Sequence, residues 1–225
     1  MSKEPVSLKD AWAKVIAGED YDGFMAEIGQ AQANAGIVAE FIEHVRPEKG
    51  ARVVVAGAGT GQMFDHHPLA RLPDHEVLFT DINPQFLARL EPRARQAGLV
   101  NFSILVDDLE QTQIPAGPDA IIVVLVLEHI QWERALRNLA ALSPGALMIV
   151  IQKNPTDVAT NVSPHRVLPA SMQRGMDDEK PHLLEAESLI ATCGELGYAP
   201  VWRDERSVPD GKFMCGFVFR PLVNS

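Results

Sequence analysis

Cysteine and long apolar runs are what this 225-residue chain has least of. Its two cysteines, Cys193 and Cys215, lack the paired spacing of a zinc site or a redox motif. Such low cysteine use favours a reduced, cytoplasmic protein. The longest apolar run, residues 120–127, is far shorter than the about 20 residues that a membrane-spanning helix needs. Residues 1–5 contain no apolar segment of the kind that secretory signals carry, so we expect no signal peptide.

Positive charge is also scarce. The chain has 20 lysines and arginines against 30 aspartates and glutamates, which gives a formal net charge of −10. Nucleic acid binding depends on cationic contacts to phosphates, so this balance disfavours a nucleic acid partner. A small-molecule partner and no membrane partner are expected instead. The length suits one α/β domain, and the sequence shows no internal repeat.

Strand and helix patterns alternate along most of the chain, which is typical of a parallel sheet with helices on both faces. The predicted strands are 52–56, 76–80, 101–106, 120–127, 146–152, 201–208 and 213–219. The predicted helices are 34–45, 84–97, 132–142 and 183–196, with short helices within 6–30 and 63–72. The turn Pro209-Asp210-Gly211 predicts that the last two strands form an antiparallel hairpin. The long segment 153–181 has little periodicity, and loops of that length are often functional.

The most informative segment is residues 53–61, where a β-branched apolar run leads into alternating glycines. Glycines at alternate positions allow a sharp turn and let a ligand approach the backbone closely. Because parallel sheets bind ligands at the carboxyl ends of their strands, we expect a small molecule beside this turn. The competing interpretation is a nicotinamide cofactor, whose fingerprint is G-x-G-x-x-G/A. Counted from Gly57, the last position of that fingerprint is Gln62, which disfavours an NAD-dependent oxidoreductase.

Acidic residues follow the next two predicted strands. Asp81 ends the second strand, where a carboxylate can accept hydrogen bonds from both hydroxyls of a ribose. Asp107 and Asp108 follow the third strand, where a carboxylate can accept from the amino group of a purine. Together with the glycine turn, these residues predict a ligand that contains adenosine.

With these motifs in place, the chain resembles the class I S-adenosylmethionine-dependent methyltransferases over roughly residues 34–220. The matching segments are Gly57-Ala58-Gly59-Thr60-Gly61, Thr80-Asp81-Ile82-Asn83-Pro84, Val106-Asp107-Asp108-Leu109, Leu127-Glu128-His129-Ile130 and Leu142-Ser143-Pro144-Gly145. The resemblance implies an α/β, Rossmann-like, doubly wound sheet of seven strands in the order 3-2-1-4-5-7-6, with strand 7 antiparallel. It also implies an N-terminal helical lid over 1–33, to which Trp12 and Tyr21 could belong, and a methyltransferase domain over 34–225.

The same resemblance implies S-adenosylmethionine as the cofactor and transfer of its methyl group to an acceptor. The glycine loop would pass beneath the methionine part, Asp81 would hold the ribose, and Asp108 would contact the adenine, with Asp107 in reserve. The predicted cofactor-binding residues are Gly57, Ala58, Gly59, Gly61, Asp81, Ile82, Asp107, Asp108, Leu109 and Leu127.

One position departs from the family pattern. The family usually carries an acidic residue two positions before the first glycine, where it helps to orient the methionine amino group, and this chain has Val55. Another group or a water must then take over, or cofactor binding is weakened. This departure motivates a second hypothesis, a non-catalytic protein that binds S-adenosylmethionine or S-adenosylhomocysteine.

His129 is the candidate catalytic residue, because a neutral imidazole can accept a proton from a hydroxyl or an amine near neutral pH. The alternative is a structural residue that opens the following helix. We expect no metal. Some members of the family use a Glu-x-x-Glu-His motif, but Leu125 stands at its first position here. The group Asp65-His66-His67 with His75 is not expected to bind an ion, because adjacent histidines on a helix point in different directions.

Overall fold

A single sheet organises the computed structural model, which describes residues 6–66, 72–155 and 166–222. Its strands are β1 Arg52–Ala56, β2 Glu76–Asp81, β3 Phe102–Val106, β4 Ala120–Val124, β5 Leu147–Lys153, β6 Tyr198–Ser207 and β7 Phe213–Pro221. The strand order is β3-β2-β1-β4-β5-β7-β6. The first five strands pair in parallel, and β7 runs antiparallel to both β5 and β6. The predicted fold, including the reversed last strand, is confirmed.

Helices cover both faces of this sheet. They are α1 Leu8–Lys14, α2 Gly18–Ile28, α3 Gln30–Val45, α4 Pro84–Gln96, α5 Trp132–Ala141, α6 Ala170–Gly175 and α7 Ala186–Glu195. One apolar layer joins α3 and α4 to the sheet, and the other joins α5 and α7 to it. Successive residues of β1 alternate between the layers, so Val55 packs on the α3 side and Val54 on the α5 side. None of the helices in the described ranges combines the length and the apolar character required to cross a bilayer.

The helix α4 begins and ends as its residues predict. The side chain of Asn83 accepts a hydrogen bond from the backbone N–H of Gln85, and Pro84 takes the first helical position. After the helix, Gly98 has a φ of +89°, the left-handed conformation that glycine adopts without strain. These local signals place the end of β2 and the start of α4 at the edge of the sheet where the candidate ligand site lies.

Several predicted boundaries are wrong. The strand predicted from 201 begins at Tyr198, and the helix predicted from 183 begins at Ala186. The fourth strand ends at Val124 rather than at residue 127, because Leu125 adopts a φ of +54° and Leu127–His129 forms a 3-10 turn. The predicted helix 63–72 is a 3-10 turn over Gln62–His66, and residues 67–71 lie outside the described ranges. The helix predicted from residue 34 begins earlier, at Gln30, directly after Gly29. The predicted limit between lid and domain therefore falls inside α3, and the division itself stays a prediction.

The helices α1 and α2 form a third layer over the carboxyl edge of the sheet, which we call the N-terminal cover. Buried apolar side chains of α1, α2 and the residues after them pack against Phe86 of α4 and against the segment around α6. The members of this cluster are Leu8, Ile16, Phe24, Met25, Ile28, Phe86, Met172 and Met176. The long segment predicted over 153–181 thus contains a short helix that supports the N-terminal cover, and its residues 156–165, including His165, are not described.

Candidate functional site

The glycine loop after β1 requires glycine for two separate reasons. Gly57, Gly59 and Gly61 have φ values of +69°, +58° and +78°, a region that other residues rarely occupy. A Cβ on Gly57 would also overlap the side chain of Val126, which follows β4. The loop can therefore lie against the end of β4 only because it has no side chain at this point.

Asp81 connects this loop to the end of β2. Its carboxylate accepts hydrogen bonds from the backbone N–H of Gly59 (2.8 Å) and of Asn83 (2.9 Å). The residue is only 8% exposed, and this burial raises the pKa of its carboxyl group to about 6. Asp81 thus holds the glycine loop in place and contributes a buried acidic group to the cavity beside it.

The two acidic residues after β3 differ in their partners. Asp107 is buried and accepts from the hydroxyl of Thr112 (2.7 Å) and the backbone N–H of Gln113 (2.7 Å), so it closes its own turn. Asp108 caps the following 3-10 turn and accepts from the ammonium group of Lys9 at 2.9 Å. Lys9 belongs to α1, so the N-terminal cover is tied to the residue that the family resemblance assigns to adenine.

A large cavity lies at this edge of the sheet, and its space, including the part that is open to solvent, is about 1320 Å³. The predicted site residues that line it are Gly57, Gly59, Asp81, Ile82, Asp107, Asp108, Leu109 and His129. A smaller cavity beside it is lined by Gly57, Ala58 and Gly59. Gly61 and Leu127 line neither cavity. Gly61 packs against Leu90 and Phe64, and Leu127 is buried in the layer of α5. The cofactor role of the whole set stays a prediction.

Aromatic side chains of the N-terminal cover contact one another and line the cavity. The rings of Trp12 and Tyr21 meet edge to face at 5.5 Å, and Tyr21 stacks on Phe86 at 5.4 Å. Trp12 also approaches Phe86 at 6.2 Å. Trp12 and Tyr21, the two lid candidates of the sequence, therefore both line the cavity.

Asp22 of α2 joins the cover to the glycine loop, and the sequence patterns do not reveal it. Its carboxylate accepts from Arg89 (2.9 Å) and Arg93 (3.0 Å) of α4, from Gln62 (2.7 Å), and from the hydroxyl of Thr60. Burial alone would raise the pKa of Asp22, but these hydrogen bonds lower it below its ordinary value. All four donors lie far from Asp22 in the chain, so no short motif could have indicated the contact.

His129 is held by Trp12. The indole N–H donates to Nδ1 of His129 at 3.0 Å, and burial lowers the pKa of the imidazole to about 3. Because an indole nitrogen can only donate, Nδ1 must be the accepting nitrogen and Nε2 carries the hydrogen. In this arrangement His129 can donate a hydrogen bond from Nε2 but has no free lone pair for a proton. Its catalytic role stays a prediction.

Glu128 is a functional candidate that sequence reasoning passed over. The side chain lines the large cavity and is 1% exposed, and burial raises the pKa of its carboxyl group to about 7. Its Oε1 accepts from the backbone N–H of Gln152 at 2.9 Å, whereas its Oε2 has no hydrogen-bond partner within the described residues. A buried polar atom without a partner is costly, and such atoms often mark a site that a ligand completes.

The far end of the large cavity has a different lining. Its walls are mostly apolar and come from the N-terminal cover, from the segment around α6, and from the β6–β7 turn. These apolar residues are Phe24, Met25, Ile28, Met172, Met176, Pro181, Val208 and Pro209. Two cationic residues, Arg166 and Lys212, also line this end, and Arg166 forms a two-point ion pair with Asp210 at 3.0 and 3.2 Å.

Candidate metal ligands do not come together in the part of the chain that the structure describes, where no group of three or more His, Cys, Asp or Glu side chains could hold an ion. His67, one of the histidines considered from the sequence, lies outside that part.

Comparison with known proteins gives one family match. Residues 53–145, from β1 to the turn before β5, match the family model described as a methyltransferase domain. No curated protein sequence matches the chain.

Solved structures share the fold over most of the chain. Magnesium protoporphyrin IX methyltransferase from Synechocystis PCC 6803 with bound S-adenosylhomocysteine has 17% identity and a TM-score of 0.64, covering 86% of this chain and 84% of its own. A putative sarcosine dimethylglycine methyltransferase from Galdieria sulphuraria has 15% identity and a TM-score of 0.62, with coverages of 84% and 85%. The [4+2]-cyclase SpnF also has 15% identity and a TM-score of 0.62, with coverages of 84% and 82%.

Proposed function

We propose that the chain is a class I S-adenosylmethionine-dependent methyltransferase that methylates a small, largely apolar molecule, a proposal supported by the methyltransferase-domain match over residues 53–145 and by the sheet order. The observation that carries the proposal is the large cavity, whose two ends differ. One end is formed by the glycine loop and the acidic residues after β2 and β3. The other is a mainly apolar chamber under the N-terminal cover.

The residues at the first end fit the cofactor of this class. The glycine loop offers a backbone without Cβ atoms to the methionine part. Asp81, Asp108 and Leu109 all line this cavity, and we propose that Asp81 accepts from the ribose hydroxyls and that Asp108 and Leu109 contact the adenine. Lys9 now binds the carboxylate of Asp108, so we propose that adenine shares or displaces this contact.

The chain's own residues contribute mainly orientation. When bound, S-adenosylmethionine supplies a methyl group on a sulfonium, and its sulfur leaves as a neutral thioether. Holding two reactants in the right geometry gives effective molarities of about 10⁵–10⁸ M, so positioning supplies much of the rate. Glu128 and His129 line the same cavity, and we propose that Glu128 Oε2, as an acceptor, and the Nε2–H of His129, as a donor, orient the nucleophile of the acceptor molecule.

The acceptor is proposed to be small because the apolar end of the large cavity is covered by α1 and α2, and individual side chains form its walls. Its apolar walls favour a hydrophobic body, and the net charge of −10 disfavours a nucleic acid. The two free, buried cysteines agree with the cytoplasmic location that we propose from the composition.

Two measurements test the proposal. Isothermal titration with S-adenosylmethionine, S-adenosylhomocysteine and NAD should show binding of the first two and none of the third. Incubation with methyl-labelled S-adenosylmethionine and a cell extract, followed by separation by size, should place the label in the low-mass fraction. Binding of NAD alone, or label confined to protein or nucleic acid, would contradict the proposal.

The second candidate function is binding of the cofactor or its product without methyl transfer. It is favoured by the imidazole of His129, whose accepting nitrogen is already bound by Trp12. In that case titration would show tight binding of S-adenosylhomocysteine, and no fraction of the extract would acquire label.

A further inference from the structure

Val55 cannot perform the task of the acidic residue that the family usually carries at its position. The side chain is 2% exposed and packs in the apolar layer between β1 and the helices α3 and α4. It lines neither of the two cavities at the end of β1. If the chain binds S-adenosylmethionine as proposed above, the α-ammonium group of the methionine part needs another acceptor.

Asn34 of α3 is a buried polar residue with an unsatisfied acceptor. The residue is 3% exposed, and its Oδ1 has no hydrogen-bond partner within the described residues. An amide oxygen that is buried without a partner destabilises the folded chain, since it loses water and gains nothing in return. On the same face of α3, Ala31, Ile37 and Val38 are apolar, and the one buried polar neighbour, Gln30, is already hydrogen-bonded to Gln152.

Asn34 also lies beside the glycine loop, where the methionine part of the cofactor is proposed to bind. It lines the smaller cavity together with Gly57, Ala58 and Gly59, which form the first half of the glycine loop. Gly57 and Gly59 line the large cavity as well, so the two spaces meet at the loop. A ligand that lies along the loop from the large cavity therefore ends next to Asn34.

The two carboxylates that contact the loop already have partners. Asp22 receives hydrogen bonds from two arginines and two neutral side chains. Asp81 receives the backbone N–H groups of Gly59 and Asn83 and stands at the ribose end of the site. Thr60 and Gln62, which also line the smaller cavity, both donate to Asp22.

We propose that Oδ1 of Asn34 accepts a hydrogen bond from the α-ammonium group of the cofactor and so replaces the acidic residue missing at Val55. An ammonium group has three donors and no acceptor, so it pairs with an amide oxygen. The inference rests on the proposed function, because it concerns the same cofactor. It adds a residue from α3, outside every motif that identified the site.

The test compares two ligands that differ only at the amino acid end. S-adenosylhomocysteine carries the ammonium group, whereas 5′-methylthioadenosine has the same nucleoside and thioether without it. Isothermal titration with both is performed on the wild-type chain, Asn34→Ala and Asn34→Asp. Asn101→Ala, just before β3 at the opposite edge of the sheet, is the matched control and should leave both affinities unchanged.

We expect Asn34→Ala to weaken S-adenosylhomocysteine by about tenfold or more, as expected for loss of a hydrogen bond to a charged group. Its affinity for 5′-methylthioadenosine should stay within about twofold, by the same reasoning, since that ligand makes no such bond. Asn34→Asp keeps an oxygen at this place and adds a negative charge, so it should bind S-adenosylhomocysteine at least as tightly as the wild type.

Equal weakening of both ligands by Asn34→Ala would overturn the inference and show a structural role for the amide. Weaker binding of S-adenosylhomocysteine to Asn34→Asp than to Asn34→Ala would also overturn it, because it would place the ligand's carboxylate rather than its ammonium beside residue 34. A wild-type chain that binds neither ligand would instead overturn the proposed function, and the inference with it.

Discussion

The two ends of the large cavity are built in different ways. The end beside the glycine loop is made by residues at or just after the ends of β1, β2 and β3, and the carboxylates of Asp81 and Asp108 are held by hydrogen bonds from backbone N–H groups. The opposite end is made by side chains of α1, α2, the segment around α6 and the last hairpin. The sheet therefore determines the first end, whereas the second can change through single substitutions without disturbing a strand.

The largest expected effect tests the backbone-built end. Gly57→Ala places a Cβ at a φ of +69° and against Val126, so it should destabilise the fold by roughly 3 kcal/mol and abolish cofactor binding. Denaturant unfolding and titration with S-adenosylhomocysteine measure the two effects.

Gly23→Ala is the matched control, because a Cβ at Gly23 in α2 meets nothing within 4 Å. It should stabilise the chain by about 0.5–1 kcal/mol, the usual preference for alanine in a helix. Val126→Ala in the Gly57→Ala background should restore part of the lost stability. No recovery would show that the contact with Val126 is not what excludes a side chain at this position.

The next effect concerns Glu128, in the turn after β4, and depends on pH. Burial raises the pKa of Glu128 from its ordinary value of 4.5 to about 7, so the folded state binds the proton more tightly than the unfolded state does. The protonated carboxyl group is therefore tolerated below about pH 4.5, and stability is lost as the pH rises from there through about 7.

Glu128→Gln removes this titration and keeps the oxygen that accepts from Gln152. The variant should match the wild type near pH 4.5 and exceed it by at most about 3 kcal/mol at pH 8. Thermal unfolding across this range measures the difference. A wild type that is more stable than the variant at pH 8 would contradict a buried, unpaired carboxylate.

A smaller effect is expected for ligand affinity at the backbone-built end. Burial raises the pKa of Asp81 to about 6, and ribose hydroxyls donate more strongly to the ionised form. The dissociation constant of S-adenosylhomocysteine should therefore increase as the pH falls below about 6, by about tenfold per pH unit at most. Titrations between pH 5 and 8 measure it, and Asp81→Asn should bind weakly with no such dependence.

The smallest effect concerns the contact between the two ends. Lys9 is partly exposed and pairs with Asp108, and such ion pairs contribute only about 0–1 kcal/mol to stability. Lys9→Met should leave unfolding nearly unchanged. It should also strengthen cofactor binding by about twofold or more, because Asp108 no longer has to release an ammonium group. A clear loss of affinity would mean that Lys9 itself contacts the ligand.

The sequence predicts the backbone-built end well because its signals are local. The alternating glycines, the acidic residue at the end of β2 and the Asn83-Pro84 helix start each act within a few residues, and the sheet order follows from the family resemblance. The end of β4 is the exception. The run 120–127 is uniformly apolar, so nothing in it reveals the left-handed Leu125 or the turn that follows.

The contacts of α1 and α2 with the rest of the site were not predictable because they are long-range. Asp22 meets donors from α4 and from the glycine loop, and Trp12 meets His129 across most of the chain. The unsatisfied oxygens of Asn34 and Glu128 were not predictable either, because such an oxygen can be recognised only when the packing around it is known. Composition and periodicity assign such residues to a helix or a strand, but they do not predict which residues of other elements these side chains contact.

The contact between Trp12 and His129 gives the molecule an optical probe of its own site. The indole of Trp12 is in the cavity wall, whereas Trp132 and Trp202 lie on α5 and β6 and line neither cavity. Any ligand that displaces the N-terminal cover removes the hydrogen bond to the imidazole and changes the surroundings of one indole of three. Site occupancy should then be readable from intrinsic fluorescence, without a label.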